Sequence, residues 1–467
     1  MKNSFGLAIA ILAAANSASG AQSLPPIRQL GPVTAVTKEP LSATSSVRQL
    51  PGGRVLVNDI IGRRVLLFDS TLSNATVIAD TTSATANAYG TRPGGLIPFR
   101  GDSTLFVDPA SLSMLLIDPN GKITRVMSAP RAQDVGFLVG GPFGNPGFDP
   151  QGRLVYRAPP NFGAFMRQRA SGNRSGDFPT PPDSAAIVRF DLATRKVDTV
   201  TFFKTPKINL SISQSSEGRM RVTSTLNPLP QGDDWALLPD GTVALVRGRD
   251  YHVDWLAPDG TMTASPKIPF QWERLSDEQK VAFIDSARVA IEEMRATGRR
   301  GPGAFGPLLA TRGDGGAGGA RGRRAGADTA RRDSSRATPG NSSPTGAGET
   351  GTMTVTAGTN TTVTAIGPGG GGQLPQINLV APSELPDYKP AFTPGSTDVD
   401  ADGNLWIRTS QNVDARPVYN VVNRKGELVD RVQLPANRVL VGFGPGGIAY
   451  LAVRDGNVAH LERARIK

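Results

Sequence analysis

The groups able to do chemistry in this chain are mostly carboxylates and guanidiniums, because its 467 residues include no cysteine and two histidines, His252 and His460. Thiolate catalysis, disulfides and cysteine-bound zinc or iron–sulfur centres are therefore excluded. Two imidazoles do not make a histidine-rich metal centre, and Tyr251-His252-Val253-Asp254-Trp255 alternates as a strand does. The chain has no G-x-S-x-G elbow, no phosphate-cradling G-x-x-x-x-G-K-[ST] loop and no H-E-x-x-H helix.

Two constellations remain. Asn58 and Asp59, Asp108, Arg157, Arg247, Arg408 and Arg454 each close a short apolar run. Guanidinium suits bidentate recognition of carboxylate or phosphate, so four such arginines around one opening would hold an anionic ligand. Pointing sideways, they would make ordinary salt bridges. The second constellation is Asp398-Val399-Asp400-Ala401-Asp402-Gly403, which has the spacing that begins oxygen-rich Ca²⁺ loops. Thr409 stands where that loop needs a bidentate Glu, and a strand, Leu405-Trp406-Ile407, follows at once. A tight turn explains the segment, leaving Asp398, Asp400 and Asp402 as spare metal donors. The sequence requires no cofactor and leaves room for a divalent ion such as Ca²⁺.

The elements that carry these residues repeat. Apolar strands flank Gly-centred turns at Pro51-Gly52-Gly53, Arg100-Gly101-Asp102, Asp149-Pro150-Gln151-Gly152, Pro239-Asp240-Gly241, Asp402-Gly403-Asn404 and Gly446-Gly447. Glycine belongs there because tight hairpins need positive φ. Where no insertion intervenes, the turns recur about every 45 to 50 residues, the length of a four-stranded propeller blade. Secondary turns at Pro119-Asn120-Gly121, Pro258-Asp259-Gly260 and Arg424-Lys425-Gly426 supply the further strands. The expected fold is an all-β, six-bladed propeller rather than a β-sandwich. Its last blade lacks a strand, which Val33–Thr37 can supply, closing the ring and hiding a sheet edge.

Lys2, the apolar run Leu7–Ala15 and Ser19-Gly20-Ala21 have the layout of a secretory signal peptide over residues 1–21, implying export to the periplasm or outside the cell. No later run is long and apolar enough to span a bilayer. Blades 1 to 4 are expected over 22–265, an insertion over 266–395 and blades 5 and 6 over 396–467. Within the insertion a capping box, Ser276 to Gln279, opens a helix over 276–297 with Val281, Ile284, Ala287, Ile291 and Met294 at helical spacing. Residues 298–375 are expected to be a disordered linker rich in Gly, Thr and Arg. The formal charge of +11 owes much to nine arginines between Arg299 and Arg336, so it does not describe a nucleic-acid surface on the fold.

In a four-stranded meander the connections after strands two and four emerge on the same face. The insertions Ala158–Ser184, Thr205–Gly232 (with an extra hairpin, Ile208–Ser213 and Met220–Thr225) and Pro266–Gly395 all fall there, so one face is decorated.

Asp149–Tyr156 and Asp400–Ile407 resemble the D-x-x-G-x-[LV]-[WY]-[VI] blades of bacterial six-bladed propellers of the NHL and gluconolactonase-like type. The resemblance covers most of the chain outside the insertions and implies blade construction. Lactonases of that class bind a divalent metal through a Glu and several Asn or Asp near the central channel; Asn58, Asp59 and Asp108 would offer part of such a set. The leading expectation is an exported, non-enzymatic binding propeller whose decorated face takes a small molecule, glycan or protein. A metal-dependent lactonase-like hydrolase or lyase in the channel is the alternative.

Overall fold

The computed structural model describes residues 24–159, 182–207, 209–214, 220–297, 377–455 and 458–467. The expected signal peptide, the linker 298–375 and most of the insertion after Ala158 lie outside them. Six sheets of at least four strands, each built on a consecutive antiparallel meander, make the six blades. The innermost strands are Thr44–Gln49, Gly95–Pro98, Gly147–Phe148, Asp234–Leu237, Phe392–Val399 and Arg438–Gly444 in blades 1 to 6. The turn glycines Gly53, Gly101, Gly152, Gly241, Gly403 and Gly447 all have positive φ, the conformation for which glycine was needed.

The second strand of each blade is buried on both faces, and its alternation feeds two cores at once. In blade 1, Val55 and Val57 pack towards blade 6 while Leu56 packs towards blade 2. In blade 5, Leu405 and Ile407 pack towards blade 4 while Trp406 packs towards blade 6. Six such clusters fill the six junctions, including that between the last blade and the first. The ring is closed. Its clasp is the expected strand, Val33–Val36, antiparallel to Val458–Arg465, with Thr37 continuing the pairing to Leu461. An unforeseen fifth strand, Ile27–Gln29, runs parallel to Leu428–Gln433 in blade 5, fixed by Arg28 on Asp430 at 2.8 Å.

The helix, here α1, spans Asp277–Thr297. Its expected capping box is present, with Ser276 Oγ accepting from the Gln279 N–H at 3.3 Å and Gln279 Oε1 from the Ser276 N–H at 2.8 Å. Ile284, Ala287 and Ile291 are buried, whereas Val281 is exposed and Lys280 takes its place on the inner stripe, paired to Asp387 at 2.7 Å. Positions 280, 284, 287 and 291 are the better 3.6-residue series. The extra hairpin forms as Asn209–Gln214 and Met220–Leu226, and Ile377–Leu379 joins it in parallel. Among the described residues no helix is long and apolar enough to cross a membrane.

Candidate functional site

Alternation turns the strand-end residues away from one another, and each finds its partners locally rather than at a common rim. Asn58 donates to Gly94 O at 2.7 Å and accepts from the Tyr89 hydroxyl at 3.1 Å, joining blades 1 and 2. Asp59, fully buried, accepts the Ala43 and Gly62 N–H groups and the Arg64 guanidinium at 3.0 Å. Asp108 accepts from the Ala110 and Ser111 N–H groups in its own turn. Arg247 is held by Asp233 and Asp254, both at 2.7 Å and both in its own blade. Arg454 stands exposed opposite Ala459 near the end of the strand Ile448–Asp455 in blade 6.

Arg157 is only 5% exposed and lies 5.2 to 5.9 Å from the ring centres of Phe137, Phe143 and Phe203. Its Nε has no hydrogen-bond partner, and burial lowers the guanidinium pKa to about 10, against the pull of the Asp234 charge. Three aromatic faces thus hold a cation beside one carboxylate. Arg408 is half-buried and makes no hydrogen bond or ion pair among the described residues.

The ring instead gathers Asn145, Asp234 and Asp398, from blades 3, 4 and 5. Asn145 Nδ2 donates to Asp398 Oδ1 at 2.6 Å across 253 residues of sequence. Asp234 accepts the N–H groups of Trp235, Ser396 and Thr397, each at 2.9 Å, and so fastens blade 4 to blade 5. Burial raises the pKa of Asp234. Burial, and then the charge of Asp234, push the Asp398 carboxyl up to about 6, with the Asn145 amide acting the other way. Part of Asp398 remains open although its carboxyl lies deep in protein, as expected of a group facing an internal channel.

Asp398 is the cross-strand partner of Trp406, and Arg408 lies two residues farther along on the same face. Such diagonal neighbours are about 7–8 Å apart at the backbone. Both bear electrostatically on the buried Tyr419 hydroxyl, whose pKa burial raises to about 12. A carboxyl that gains or loses a proton and a cation without a partner therefore share one side of blade 5.

A divalent metal fits this set poorly. Asp234 uses both oxygens on backbone N–H groups, and Asn145 spends its amide N–H on Asp398. The D-x-D-x-D-G oxygens do not converge either. Asp400 caps its own turn, accepting the Asp402 and Asn404 N–H groups and the Trp406 indole N–H at 2.9 Å, and Asp402 is exposed. Among the described residues no three His, Cys, Asp or Glu come together as metal donors. His252 sits between Asp250 and Asp254, at 2.9 and 3.1 Å, and His460 is bonded to Thr37 O at 3.0 Å.

Asn145 and Asp234 escape motif reading because each is a single polar residue, Asn145 in the loop two residues before the inner strand of blade 3 and Asp234 at the start of that of blade 4. A signal for them does exist: both stand seven residues ahead of a blade's turn glycine, as does Ser396.

No family model matches the chain, and no curated protein matches it. Solved structures it is similar to include a gluconolactonase from Xanthomonas campestris, at 10% identity over 94% of this chain and 99% of that one, with a TM-score of 0.35. A PQQ-bound aldose sugar dehydrogenase from Streptomyces coelicolor is 12% identical over 94% of this chain and 99% of that one, with a TM-score of 0.37. A virginiamycin B lyase from Staphylococcus aureus is 12% identical over 51% and 73%, with a TM-score of 0.27. The six-bladed ring described above rests on the strand pairing of this chain itself.

Proposed function

We propose that this is an exported binding propeller that takes a small acidic saccharide beside blade 5 in its axial channel. The observation that carries the reading is the placement of the unpartnered Arg408 beside the Asp398–Asn145 pair on one face of blade 5. The guanidinium suits the ligand's carboxylate. Asp398 and Asn145, one able to donate or accept and the other an amide, suit its hydroxyls. Arg157 and Arg247 take no direct part, because rings and carboxylates already occupy them.

Calorimetric titration with galacturonate and with galactose tests this. Galacturonate should bind, galactose should bind at least tenfold more weakly, and Arg408→Ala should remove the difference while leaving the melting temperature unchanged. Equal binding of the two sugars, or an unchanged preference in Arg408→Ala, would overturn it.

The rival is a lactonase-like hydrolase or lyase at the same place, and what favours it is the meeting of oxygen-bearing side chains from three blades. A divalent ion there would have to displace backbone N–H groups from Asp234. Metal analysis of the purified chain, with thermal shifts in Ca²⁺, Mg²⁺ and Zn²⁺, separates the two: a stoichiometric ion lost in Asp398→Asn supports the rival.

A further inference from the structure

The chain leaves blade 4 for α1 and returns from the insertion into blade 5 along two segments that pair with each other. Arg274 and Tyr388 are antiparallel bridge partners, flanked by Leu275 N–H to Asp387 O at 2.8 Å and Lys389 N–H to Glu273 O at 2.9 Å. The alternation of an extended ribbon puts Trp272 on the side of Arg274, and hence of Tyr388. Both rings are open to solvent: Trp272 is 40% exposed and Tyr388 49%. The other tryptophans, Trp235, Trp255 and Trp406, are all buried between blades, as expected of core residues, so Trp272 is the exception.

Trp272 is exposed but not loose. Phe270 meets it edge-on at 5.3 Å and 77°, and meets Tyr251 in the same way at 5.5 Å and 79°. Tyr251 is fully buried and accepts from Asn420 Nδ2 at 3.0 Å. A file of rings thus runs from the blade 4–5 core to the surface and ends on an indole whose orientation is already set. An aromatic surface fixed in advance loses little conformational freedom on binding. The ribbon is also tied to the site. Gln411 Nε2 donates to Gln271 O at 2.8 Å, and Gln411 lies three residues beyond Arg408 on the strand Leu405–Val413, about 10 Å along it.

We infer that Trp272 and Tyr388 form a sugar-stacking subsite, which makes the ligand a saccharide chain whose acidic residue sits at Arg408. The inference rests on the acidic-saccharide reading of that site. A pyranose presents a face of weakly positive C–H groups, which matches the electron-rich face of an aromatic ring. It also presents an edge of hydroxyls, which the exposed side chain of Arg274, on the same side of the ribbon, can meet. Two rings on a narrow ribbon rimmed by polar groups make too small an apolar patch for a protein partner. The Gln411–Gln271 bond joins the ribbon to the strand that carries Arg408.

The test uses the full chain, with trigalacturonate, galacturonate and neutral galactotriose as probes and iodide quenching of tryptophan fluorescence as the readout, since Trp272 is the indole that iodide can reach. Trigalacturonate should shield Trp272 and bind at least tenfold more tightly than galacturonate. Trp272→Ala should abolish that advantage and leave galacturonate affinity unchanged, and Trp272→Phe should restore part of it. Failure of both triose probes to shield Trp272, or full trigalacturonate affinity in Trp272→Ala, would overturn the subsite. If galacturonate fails to bind while galactotriose still shields Trp272, the Arg408 reading falls and the stacking subsite stands.

Discussion

Replacing Asp398 with asparagine should stabilise the fold at neutral pH, although it removes a buried, hydrogen-bonded carboxyl. Burial and the neighbouring charge of Asp234 raise its pKa from 3.8 to about 6, so the native state holds a proton that the unfolded chain releases near pH 4. Stability contributed by such a group is complete below the unfolded pKa and declines as pH rises through the folded one. Ionising Asp398 in place therefore costs about 3 kcal/mol, taking about 1.4 kcal/mol per pH unit of displacement. Partial opening to the channel brings the expected cost to roughly 1–3 kcal/mol.

Asparagine has nearly the same shape, and its carbonyl can still accept the Asn145 amide. The measurement is urea unfolding of wild type and Asp398→Asn at pH 4.5 and pH 7.5. Other carboxylates cancel in the difference between the two proteins. The variant should match or fall slightly below wild type at pH 4.5 and exceed it by roughly 1–3 kcal/mol at pH 7.5. A difference that does not change with pH would refute the coupled-carboxyl account, whatever its sign.

Two further outcomes follow from the same structure. Arg247→Ala should cost about 3–5 kcal/mol in urea unfolding, because Asp233 and Asp254, both largely buried, lose the cation that compensates them; a loss below about 1 kcal/mol would mean that water already screens the trio. Removing residues 24–36 should lower the melting temperature and promote association, since it strips the clasp from Val458–Arg465 and the parallel strand from blade 5; an unchanged melting temperature would show that the ring holds without either.

The architecture was readable in the sequence because it is written locally. A turn glycine with positive φ and a strand of alternate or continuous apolar residues lie within ten residues of each other, and both are demanded by backbone sterics and burial alone. The missing strand of the last blade could be assigned to Val33–Thr37 for the same reason: an edge must be covered, and one spare apolar strand stood ahead of the first blade. The parallel strand Ile27–Gln29 had no such signature. Its pairing depends on Arg28 finding Asp430, a contact between the two ends of the chain.

The candidate site was not readable, and the geometry of the ring explains why. Strand-end residues such as Asn58, Asp59 and Arg247 looked like a common rim, but each is satisfied nearby, Asn58 across the junction with blade 2 and Asp59 and Arg247 by partners in their own blades. Convergence is found instead at the innermost strands and the loops leading into them, where blades 3, 4 and 5 bring together Asn145, Asp234 and Asp398. Asp398 was noticed for its place in D-x-D-x-D-G, a pattern that groups it with Asp400, yet Asp400 is used up by Trp406 and the turn. Its real partners are Asn145 and Asp234, set by position within the repeat rather than by adjacency. In a propeller, aligning the blades on their turn glycines and comparing equivalent positions at or just before the inner strands, such as Asn145, Asp234 and Ser396, brings candidate axial residues together in a way that scanning for contiguous motifs cannot.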